Sequence, residues 1–284
     1  MRRERARPLL GTIVAVRADF ADDVEADAAI DAAFAEVAAV QALMSFHDPA
    51  SEVSRLNREA HLRPVPVDPR TFEVLAWAQA LSQASDGVFD VTVAAAAVRE
   101  AALPRPDDAC APDPDAGWRD IELIAEASAV RFRRPLWIDL GGVAKGYAVD
   151  RALAVLKARG ARQAAVNAGG DLAVFGPAPE PVRLRAPQAP EAAAIELTDG
   201  ALASSGGEPD RARASGLHLD MRRRRPARPG RFVSVAARTC MAADALTKVV
   251  MAQGEGAGPL LERFAAAAYL SDPGQPWRTL GAAA

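Results

Sequence analysis

The sequence has little of several things, and each shortage excludes a class of protein. Only 5% of its 284 residues are Phe, Trp or Tyr, so the core must be built from Ala, Val and Leu with closely packed helices. Two cysteines, Cys110 and Cys240, lie far apart without metal-type spacing, which favours a reducing compartment over a disulfide framework. A formal net charge of −3 gives no sign of a nucleic-acid-binding protein.

The chain also lacks a run of about 20 apolar residues, so no membrane span is expected. Its basic start is followed by a short apolar stretch, residues 9–16, which runs into charge at Arg17 and Asp19. This pattern lacks the apolar core and the small-residue cleavage site of a signal peptide. We therefore expect a cytoplasmic protein whose residues 1–8 form a basic N-terminal tail.

Helices and strands are predicted in no regular order. Apolar periodicity and turn residues predict helices at 22–44, 51–57, 69–85, 144–159 and 242–253, and strands at 9–18, 121–124, 129–132, 136–140, 164–166, 193–197 and 232–236. Two proline-rich stretches, 103–117 and 177–190, are predicted to be surface excursions. Irregular mixing of this kind favours an α+β fold over a doubly wound sheet, and we expect one domain over residues 1–284.

The chemically richest stretch is residues 137–150, Trp-Ile-Asp-Leu-Gly-Gly-Val-Ala-Lys-Gly-Tyr-Ala-Val-Asp. Its paired glycines let the backbone approach a ligand closely, and the helix that follows offers free N–H groups to an anion. Lys145 lies in the first turn of this helix, where a cation is unfavourable. A phosphate opposite Lys145 would explain the conflict. The alternative is a plain strand-turn-helix with a solvated lysine.

Three further segments carry polar groups, and each has an ordinary structural alternative. The turn Asn167-Ala-Gly-Gly-Asp171 and the loop at 203–207 suit a phosphate but also suit any turn or bulge. Asp244 and Thr247 are three residues apart on one helix face, where a carboxylate and a hydroxyl could hold Mg²⁺. The alternative there is a helix N-terminus with Asp244 in its favoured first turn.

Two features lie in a polar loop. His218 is one of three histidines and could carry a proton near neutral pH, or it could simply be exposed. The four arginines at 222–225 could help to hold a diphosphate, although such a run is by default a solvated surface.

The order of these motifs resembles the FAD:protein FMN transferase (ApbE-like) family. Leu10-Gly-Thr resembles the family's Met-Gly-Thr. Residues 44–57, Met-Ser-Phe-His-Asp-Pro-Ala-Ser-Glu-Val-Ser-Arg-Leu-Asn, resemble its Met-Ser-x-Tyr-x-Pro-x-Ser-Glu-x-Ser-Arg-x-Asn, and residues 86–93, Asp-Gly-Val-Phe-Asp-Val-Thr-Val, its Asp-Gly-x-Phe-Asp-Pro-Thr-Val. Residues 139–150, 169–171 and 203–206, His218 and residues 243–247 follow in family order. The resemblance covers the chain from Leu9 to about Gly254.

This resemblance implies a single α+β domain of mixed sheets with flanking helices and a cleft for an extended FAD. It implies an enzyme that uses Mg²⁺ to cleave the FAD diphosphate, releases AMP and attaches FMN to a Ser or Thr of an acceptor flavoprotein. One alternative is an FAD-binding protein or an FAD pyrophosphatase that yields FMN and AMP. Another is a noncatalytic partner that docks a flavoprotein during maturation.

The resemblance also implies roles for individual residues. FAD contacts fall on Leu10, His47, Val88, Phe89, Asp90, Gly141, Lys145, Tyr147 and Leu219. The cation contacts fall on the Ala144 carbonyl, Asp244 and Thr247, and the catalytic roles fall on His218 and Asp244.

Four departures separate this chain from the family pattern. His47 stands where the family has Tyr, residues 94–98 (Ala-Ala-Ala-Ala-Val) replace Pro-Leu-Val-Asn-x-Trp-Gly, and the loop at 218–226 is one residue shorter and lacks its Gly. Where many members read Asp-Ala-x-x-Thr, this chain has Asp244-Ala-Leu-Thr247-Lys248. Two hypotheses follow: Thr247 coordinates Mg²⁺ together with Asp244, or the Lys248 ammonium takes the place of the cation.

Overall fold

Residues 1–184, 193–206 and 218–281 are described by the computed structural model of the chain. Their contacts divide the chain into two compact units. Unit 1 comprises Met1–Gln41, Lys145–Glu208 and Arg228–Ala284, and unit 2 comprises Ala42–Ala144 and Pro209–Ala227. The prediction of one domain over residues 1–284 stays a prediction.

Unit 1 contains an eight-stranded sheet, as far as the described residues show, in the order β1-β2-β6-β7-β10-β13-β14-β15. Every neighbouring pair in it is antiparallel. The strands are β1 (Arg2–Leu9), β2 (Thr12–Asp19), β6 (Gln163–Ala168), β7 (Asp171–Phe175), β10 (Ala201–Gly206), β13 (Phe232–Ala237), β14 (Ala267–Ser271) and β15 (Arg278–Gly281). Strands β8 (Glu180–Leu184) and β9 (Ala193–Leu197) form a separate antiparallel pair.

The helices of unit 1 carry the buried alanines and valines that the shortage of aromatic residues predicts. They are α1 (Asp23–Met44), α5 (Ala144–Ala158), α6 (Cys240–Gln253) and α7 (Gly258–Arg263). The last three residues of α1 and the first residue of α5 belong to unit 2. The side chain of Asp22 accepts a hydrogen bond from the backbone N–H of Val24 at 2.7 Å and so satisfies a free donor at the start of α1. Helix α6 packs on β10 and β13.

Unit 2 combines helices α2 (Glu52–Glu59), α3 (Pro69–Ala84) and α4 (Ala94–Arg99) with short strands. A three-stranded antiparallel sheet has the order β3-β5-β4, with β3 at Val65–Pro66, β4 at Ile121–Ile124 and β5 at Ala129–Phe132. Strands β11 (Leu219–Asp220) and β12 (Arg225–Pro226) form a second pair. Ser51 caps α2, because its Oγ accepts the Ser54 N–H at 3.0 Å.

The α+β prediction is confirmed, and two local predictions are corrected. A tail was predicted for residues 1–8, but residues 2–9 form strand β1, which pairs with β2 along its whole length. The alternation of these residues suits a strand, and Arg2 and Arg7 pair with Asp19 and Asp31. Residues 136–140, predicted as a strand, lie outside the sheets. There, Ile138 exchanges two hydrogen bonds with the Asn57 side chain.

The two proline-rich stretches differ. Residues 103–117 contain neither helix nor strand, as expected of a surface excursion. Residues 180–184 of the second stretch form β8, and residues 185–190 lie outside the described part of the chain. Of the helices the structure describes, none is long and apolar enough to cross a membrane.

Candidate functional site

Helices α5 and α6 approach each other closely at Gly146. A Cβ on Gly146 would collide with the carbonyl oxygen of Cys240, and it would lie 2.6 Å from the Cys240 carbonyl carbon and 2.9 Å from Cβ of Asp244. Only a residue without a side chain permits this approach. The Gly146 N–H donates to Oδ2 of Asp244 at 3.1 Å. The glycine therefore connects the first turn of α5 to a carboxylate of α6.

Asp150, one turn further along α5, holds the start of α6. Its Oδ1 accepts the Cys240 N–H at 2.7 Å and its Oδ2 accepts the Met241 N–H at 2.8 Å, so it satisfies two free helix donors. Burial raises the pKa of Asp150 to about 6, although these two hydrogen bonds act to lower it. Because α6 begins at Cys240, Asp244 lies in its second turn. The alternative that placed Asp244 in the first turn is therefore wrong.

Asp244 is a fully buried carboxylate, with 0% of its surface exposed. Its Oδ1 forms an ion pair with Nζ of Lys248, one helical turn later. Its Oδ2 accepts the hydrogen bond from Gly146. A buried charge requires such partners, because leaving one unpaired costs several kcal/mol, roughly 3–5. Both carboxylate oxygens are thus engaged within unit 1.

Thr247 takes part in a chain of hydrogen bonds that starts at Lys248. Nζ of Lys248 donates to Oγ of Ser205 at 3.2 Å, and Oγ of Ser205 lies 2.7 Å from Oγ1 of Thr247. The Thr247 hydroxyl donates to the Asp244 carbonyl oxygen at 2.6 Å. Since a hydroxyl has one proton, Ser205 must be the donor to Thr247. The Thr247 hydroxyl is therefore buried and both donates and accepts.

Lys145 forms a second ion pair in the same unit. Its Nζ lies 2.8 Å from Oδ2 of Asp171, whose side chain is 1% exposed while that of Lys145 is 30% exposed. Asp171 follows Gly169 and Gly170, which have φ of +64° and +107°, and such a turn favours glycine. The alternative of a merely solvated Lys145 is wrong. We call Lys145, Asp171, Asp244 and Lys248 the lysine–carboxylate cluster.

The charges of this cluster act on one another. Burial lowers the pKa of Lys145, but the carboxylates of Asp171 and Asp244 outweigh it and leave that pKa raised. Burial and the negative charge of Asp244 raise the pKa of Asp171, while Lys145 and Lys248 act to lower it. The two lysines therefore help Asp171 to stay ionised, and Lys145 is held in its ammonium form.

Three predicted FAD residues form a local structure in unit 2. Val88 and Phe89 are buried. Oδ1 of Asp90 accepts the backbone N–H and the hydroxyl of Thr92, both at 2.8 Å, and Oδ2 accepts the Trp118 N–H at 3.3 Å. Burial raises the pKa of Asp90 although the hydrogen bonds act to lower it. Asp90 thus fixes the backbone of the turn that carries Val88 and Phe89.

The remaining predicted residues are distributed over both units. In unit 1, Leu10 has a positive φ of 54° and donates its N–H to Oε1 of Gln41 at 2.6 Å, and Tyr147 is buried in α5. In unit 2, His47 is exposed and meets the Phe46 ring edge-on, and the N–H of Gly141 donates to Oδ1 of Asp139 at 3.0 Å.

The loop that carries His218 is held by contacts within unit 2. The His218 carbonyl accepts the Ala227 N–H at 2.7 Å, and Leu219 pairs with Pro226. Ala144, the first residue of α5, is also in unit 2 and buried. The arginine run has local partners: Arg222 pairs with Asp86, Arg223 with Asp220, and Arg224 donates to the Pro114 carbonyl.

The structure thus brings Lys145 together with Asp244 and Thr247 within unit 1. Sequence reasoning missed the roles of Asp171, Ser205, Gly146 and Asp150 in holding them. Asp171 and Asp150 are the last residues of the motifs at 167–171 and 137–150. A carboxylate next to a glycine turn was the sequence signal that could have identified Asp171. Over the described residues, no group of three or more His, Cys, Asp or Glu side chains is arranged to hold a metal ion.

Comparison with known proteins shows the family. The ApbE family model matches residues 10–270, and the chain belongs to the ApbE family, as the motif order predicts. The α+β architecture agrees with the crystal structure of Pseudomonas stutzeri flavinyl transferase ApbE in its apo form. The TM-score is 0.82 with 22% sequence identity, over 98% of this chain and 94% of that one. At this identity the likeness shows the fold alone.

Two relatives bear the name FAD:protein FMN transferase. That of Chlamydia trachomatis is 29% identical over 168 residues, which are 57% of this chain and 53% of the relative. That of Vibrio cholerae is 29% identical over 238 residues, which are 76% of this chain and 70% of the relative. The match thus spans about half the length of the first relative and more of the second.

Proposed function

We propose that this protein is an FAD:protein FMN transferase, which cleaves the diphosphate of FAD, attaches FMN to a Ser or Thr of an acceptor flavoprotein and releases AMP. The observation that carries the proposal is Lys145, held by the buried Asp171 in the first turn of α5, in a chain of the ApbE family. The names of the Chlamydia and Vibrio relatives support it.

Lys145 is suited to hold an anion at this place. Its raised pKa keeps it an ammonium group at neutral pH, and Asp171 fixes its position. The positive end of the α5 helix dipole also favours negative charge near Lys145. Phosphoryl transfer depends mainly on positioning and on stabilising charge that develops on phosphate oxygens. Lys145 supplies both for the diphosphate of FAD.

The proposed reaction is a displacement at phosphorus. The oxygen of the acceptor hydroxyl forms a bond to the phosphorus of the FMN half, and the bond from that phosphorus to the bridging oxygen breaks. The bridging oxygen leaves with AMP. The hydroxyl proton passes to a base, for which we propose His218 because an imidazole titrates near neutral pH.

The family resemblance supplies the other proposed roles. Asp244 serves with His218 in catalysis, and FAD contacts are proposed at Leu10, His47, Val88, Phe89, Asp90, Gly141, Lys145, Tyr147 and Leu219. The same resemblance assigns Mg²⁺ to the Ala144 carbonyl, Asp244 and Thr247. In the structure, Asp244 pairs with Lys248, and the Thr247 hydroxyl is hydrogen-bonded to Ser205 and to the Asp244 carbonyl. A cytoplasmic location stays a prediction.

One observation favours a second candidate function. Lys248 stands at the family's usual Thr position and pairs with Asp244. A lysine there supplies one positive charge where a divalent cation supplies two. Less compensation of the diphosphate charge favours an FAD-binding protein with weak or no transferase activity. A pyrophosphatase that yields FMN and AMP breaks the same bond and stays the other alternative.

Intact-mass spectrometry separates these functions. The protein is incubated with FAD and an acceptor flavoprotein, with EDTA in one set of reactions and Mg²⁺ in the other, and AMP is quantified in parallel. A transferase adds the FMN mass to the acceptor and releases equal AMP, and an acceptor with its Ser or Thr changed to Ala gains nothing. AMP without acceptor mass identifies the pyrophosphatase. Retained FAD without AMP identifies the binding protein, and no bound FAD overturns the proposal.

A further inference from the structure

We propose that the ammonium group of Lys248 takes the place of a divalent cation at Asp244, so that this chain binds the FAD diphosphate without a divalent metal ion. The inference rests on the proposed function, because it concerns how FAD is held. It decides between the two hypotheses that the sequence leaves open at Thr247 and Lys248.

The first argument is that each oxygen of the Asp244 carboxylate already has a partner and that the residue is buried. Oδ1 pairs with the Lys248 ammonium and Oδ2 accepts the Gly146 N–H, and Asp244 has no exposed surface. Mg²⁺ requires oxygen ligands in near-octahedral geometry at about 2.0–2.1 Å and keeps several of its waters. A carboxylate without exposed surface and beside an ammonium group does not suit a cation that keeps its waters.

The second argument is that the Thr247 hydroxyl serves another purpose. It donates to the Asp244 carbonyl at 2.6 Å and accepts from Ser205 across 2.7 Å. Ser205 in turn accepts from Lys248 at 3.2 Å. Coordination by Thr247 would disturb this chain of hydrogen bonds. The Thr247 hydroxyl, which lies one position before the family's usual Thr, therefore supports Lys248 through Ser205. It is not arranged as a metal ligand.

The third argument is the charge of the lysine–carboxylate cluster. Two ammonium groups balance two carboxylates, so the cluster carries no net formal charge. With Thr at position 248 it would carry one negative charge, which would attract a divalent cation. Lys248 removes that attraction, and it places a positive charge next to the position the metal would take. Like charges at short range repel.

The fourth argument is that Lys248 remains accessible to a phosphate. Its side chain is 24% exposed, and an ammonium group has three N–H donors. Within the described residues, two of these donors are directed at Asp244 and Ser205. The third is available to a phosphate oxygen, for which a lysine is a common partner. Lys248 and Lys145 then contact the diphosphate as two point charges.

FAD fluorescence quenching on the intact protein tests the proposal without any variant. We expect the FAD dissociation constant to be the same in EDTA and in Mg²⁺. Free Mn²⁺, followed by its paramagnetic resonance signal, should not decrease when the protein is added, with or without FAD. FAD binding that requires Mg²⁺, or uptake of one Mn²⁺ per chain, would overturn the inference.

Changing Lys248→Thr restores the family's residue and should create a metal requirement. In EDTA we expect FAD to bind about tenfold or more weaker, as the loss of a charged hydrogen bond predicts, and Mg²⁺ should restore the affinity. Lys248→Arg keeps the charge and should stay independent of metal. The matched control is Lys157→Thr, because Lys157 is exposed and is the one other lysine outside the cluster.

The outcomes separate this inference from the proposed function. FAD binding without metal, but with no transfer to an acceptor, supports the inference and removes the transferase. FAD binding and transfer that both require Mg²⁺ leave the transferase and remove the inference. No FAD binding in either condition removes both. If Lys248→Thr fails to fold, the intact protein in EDTA and in Mg²⁺ still decides.

Discussion

The backbone N–H of Gly146 donates to Oδ2 of Asp244 across 3.1 Å, and this bond joins helix α5 to the buried carboxylate of α6. The same glycine lets the two helices approach, because a Cβ there would lie within 2.9 Å of Asp244 Cβ and closer still to the Cys240 carbonyl. One residue without a side chain thus determines both the helix packing and the second partner of Asp244.

Changing Gly146→Ala should therefore destabilise the protein even though alanine favours helices. The added methyl group collides with a backbone carbonyl that cannot rotate away, and overpacking of this kind costs about 1–3 kcal/mol. The shift should also lengthen the bond from residue 146 to Asp244. Urea denaturation measures the loss as a lower midpoint with an unchanged slope.

The matched control for this change is Gly256→Ala in the short turn between α6 and α7. Gly256 is exposed, and the nearest atom that a Cβ there would meet is Cβ of Gln253 at 3.8 Å, an ordinary van der Waals distance. This substitution should be neutral or stabilising by up to about 1 kcal/mol. Equal effects of the two substitutions would refute the close approach at Gly146.

Thr247→Val is expected to destabilise the protein through hydrogen bonding alone. Valine keeps the shape of threonine but removes the hydroxyl that accepts from Ser205 and donates to the Asp244 carbonyl. A buried group that loses its partner costs about 1–3 kcal/mol. Under the proposal that Lys248 takes the place of a metal at Asp244, the loss measured by denaturation should be the same in EDTA and in Mg²⁺.

Thr71→Val provides the opposite case in the same protein. The Thr71 hydroxyl is buried, and its oxygen has no hydrogen-bond partner among the described residues. Removing it should be neutral or stabilising by about 1 kcal/mol, because an unsatisfied buried hydroxyl is costly. A destabilisation at Thr71 as large as that at Thr247 would contradict the hydrogen-bond chain.

A double-mutant cycle on Lys145 and Asp171 separates support of the fold from binding of FAD. Lys145→Met leaves the buried Asp171 without its cation and should cost about 3–5 kcal/mol. Adding Asp171→Asn removes the unpaired charge, so most of the stability should return. FAD affinity should stay low in the double variant, because the ammonium group is still missing.

Fluorescence quenching and denaturation on the four proteins of this cycle check the prediction. Asp171→Asn alone keeps Lys145 and should weaken FAD binding less than Lys145→Met. Recovery of FAD affinity in the double variant would mean that Lys145 only supports the fold, and the proposed contact with the diphosphate would be wrong.

Local patterns in the sequence predict the five longer helices and the hairpin of β4 and β5, but they miss the six-residue helices α4 and α7. The helix predicted at 22–44 is α1 at Asp23–Met44, and the strands predicted at 121–124 and 129–132 have those bounds in the structure. Strand β7 (Asp171–Phe175) was missed. It continues from β6 across the two-residue turn of Gly169 and Gly170. Two glycines between extended runs are typical of a hairpin, so the sequence did hold a local signal for this strand.

The contacts of the candidate site are of two kinds, local contacts that the sequence could predict and tertiary contacts that it could not. Asp244 and Lys248 are four residues apart on a helix, a spacing at which side chains of opposite charge meet, so their pairing could be predicted. The pairing of Lys145 with Asp171 could not, since it joins a helix to a strand 26 residues further on through the packing of unit 1. Helix α6 starts at Cys240, two residues before the predicted start, because Asp150 accepts the N–H groups of Cys240 and Met241. This is again a tertiary contact.

Asp150 should make the free energy of unfolding fall as the pH rises, which is opposite to the usual effect of an aspartate. Burial raises its pKa to about 6, above the value near 3.9 of an unfolded aspartate. Between about pH 4 and pH 6 the folded chain therefore holds more of this proton than the unfolded chain. By linkage, the free energy of unfolding falls as the pH rises through this window, by up to about 3 kcal/mol.

Asp150→Asn isolates this contribution, because asparagine does not titrate. Denaturation of both proteins from about pH 4 to pH 7.5 should show the wild type losing stability relative to Asp150→Asn up to about pH 6 and running parallel to it above. Other titrating groups, including Asp171, are present in both proteins and cancel. The control is Asp107→Asn, which makes the same side-chain change at an exposed position. A wild type that gains relative stability as the pH rises would reverse the sign and show that the hydrogen bonds from Cys240 and Met241, not burial, dominate at Asp150.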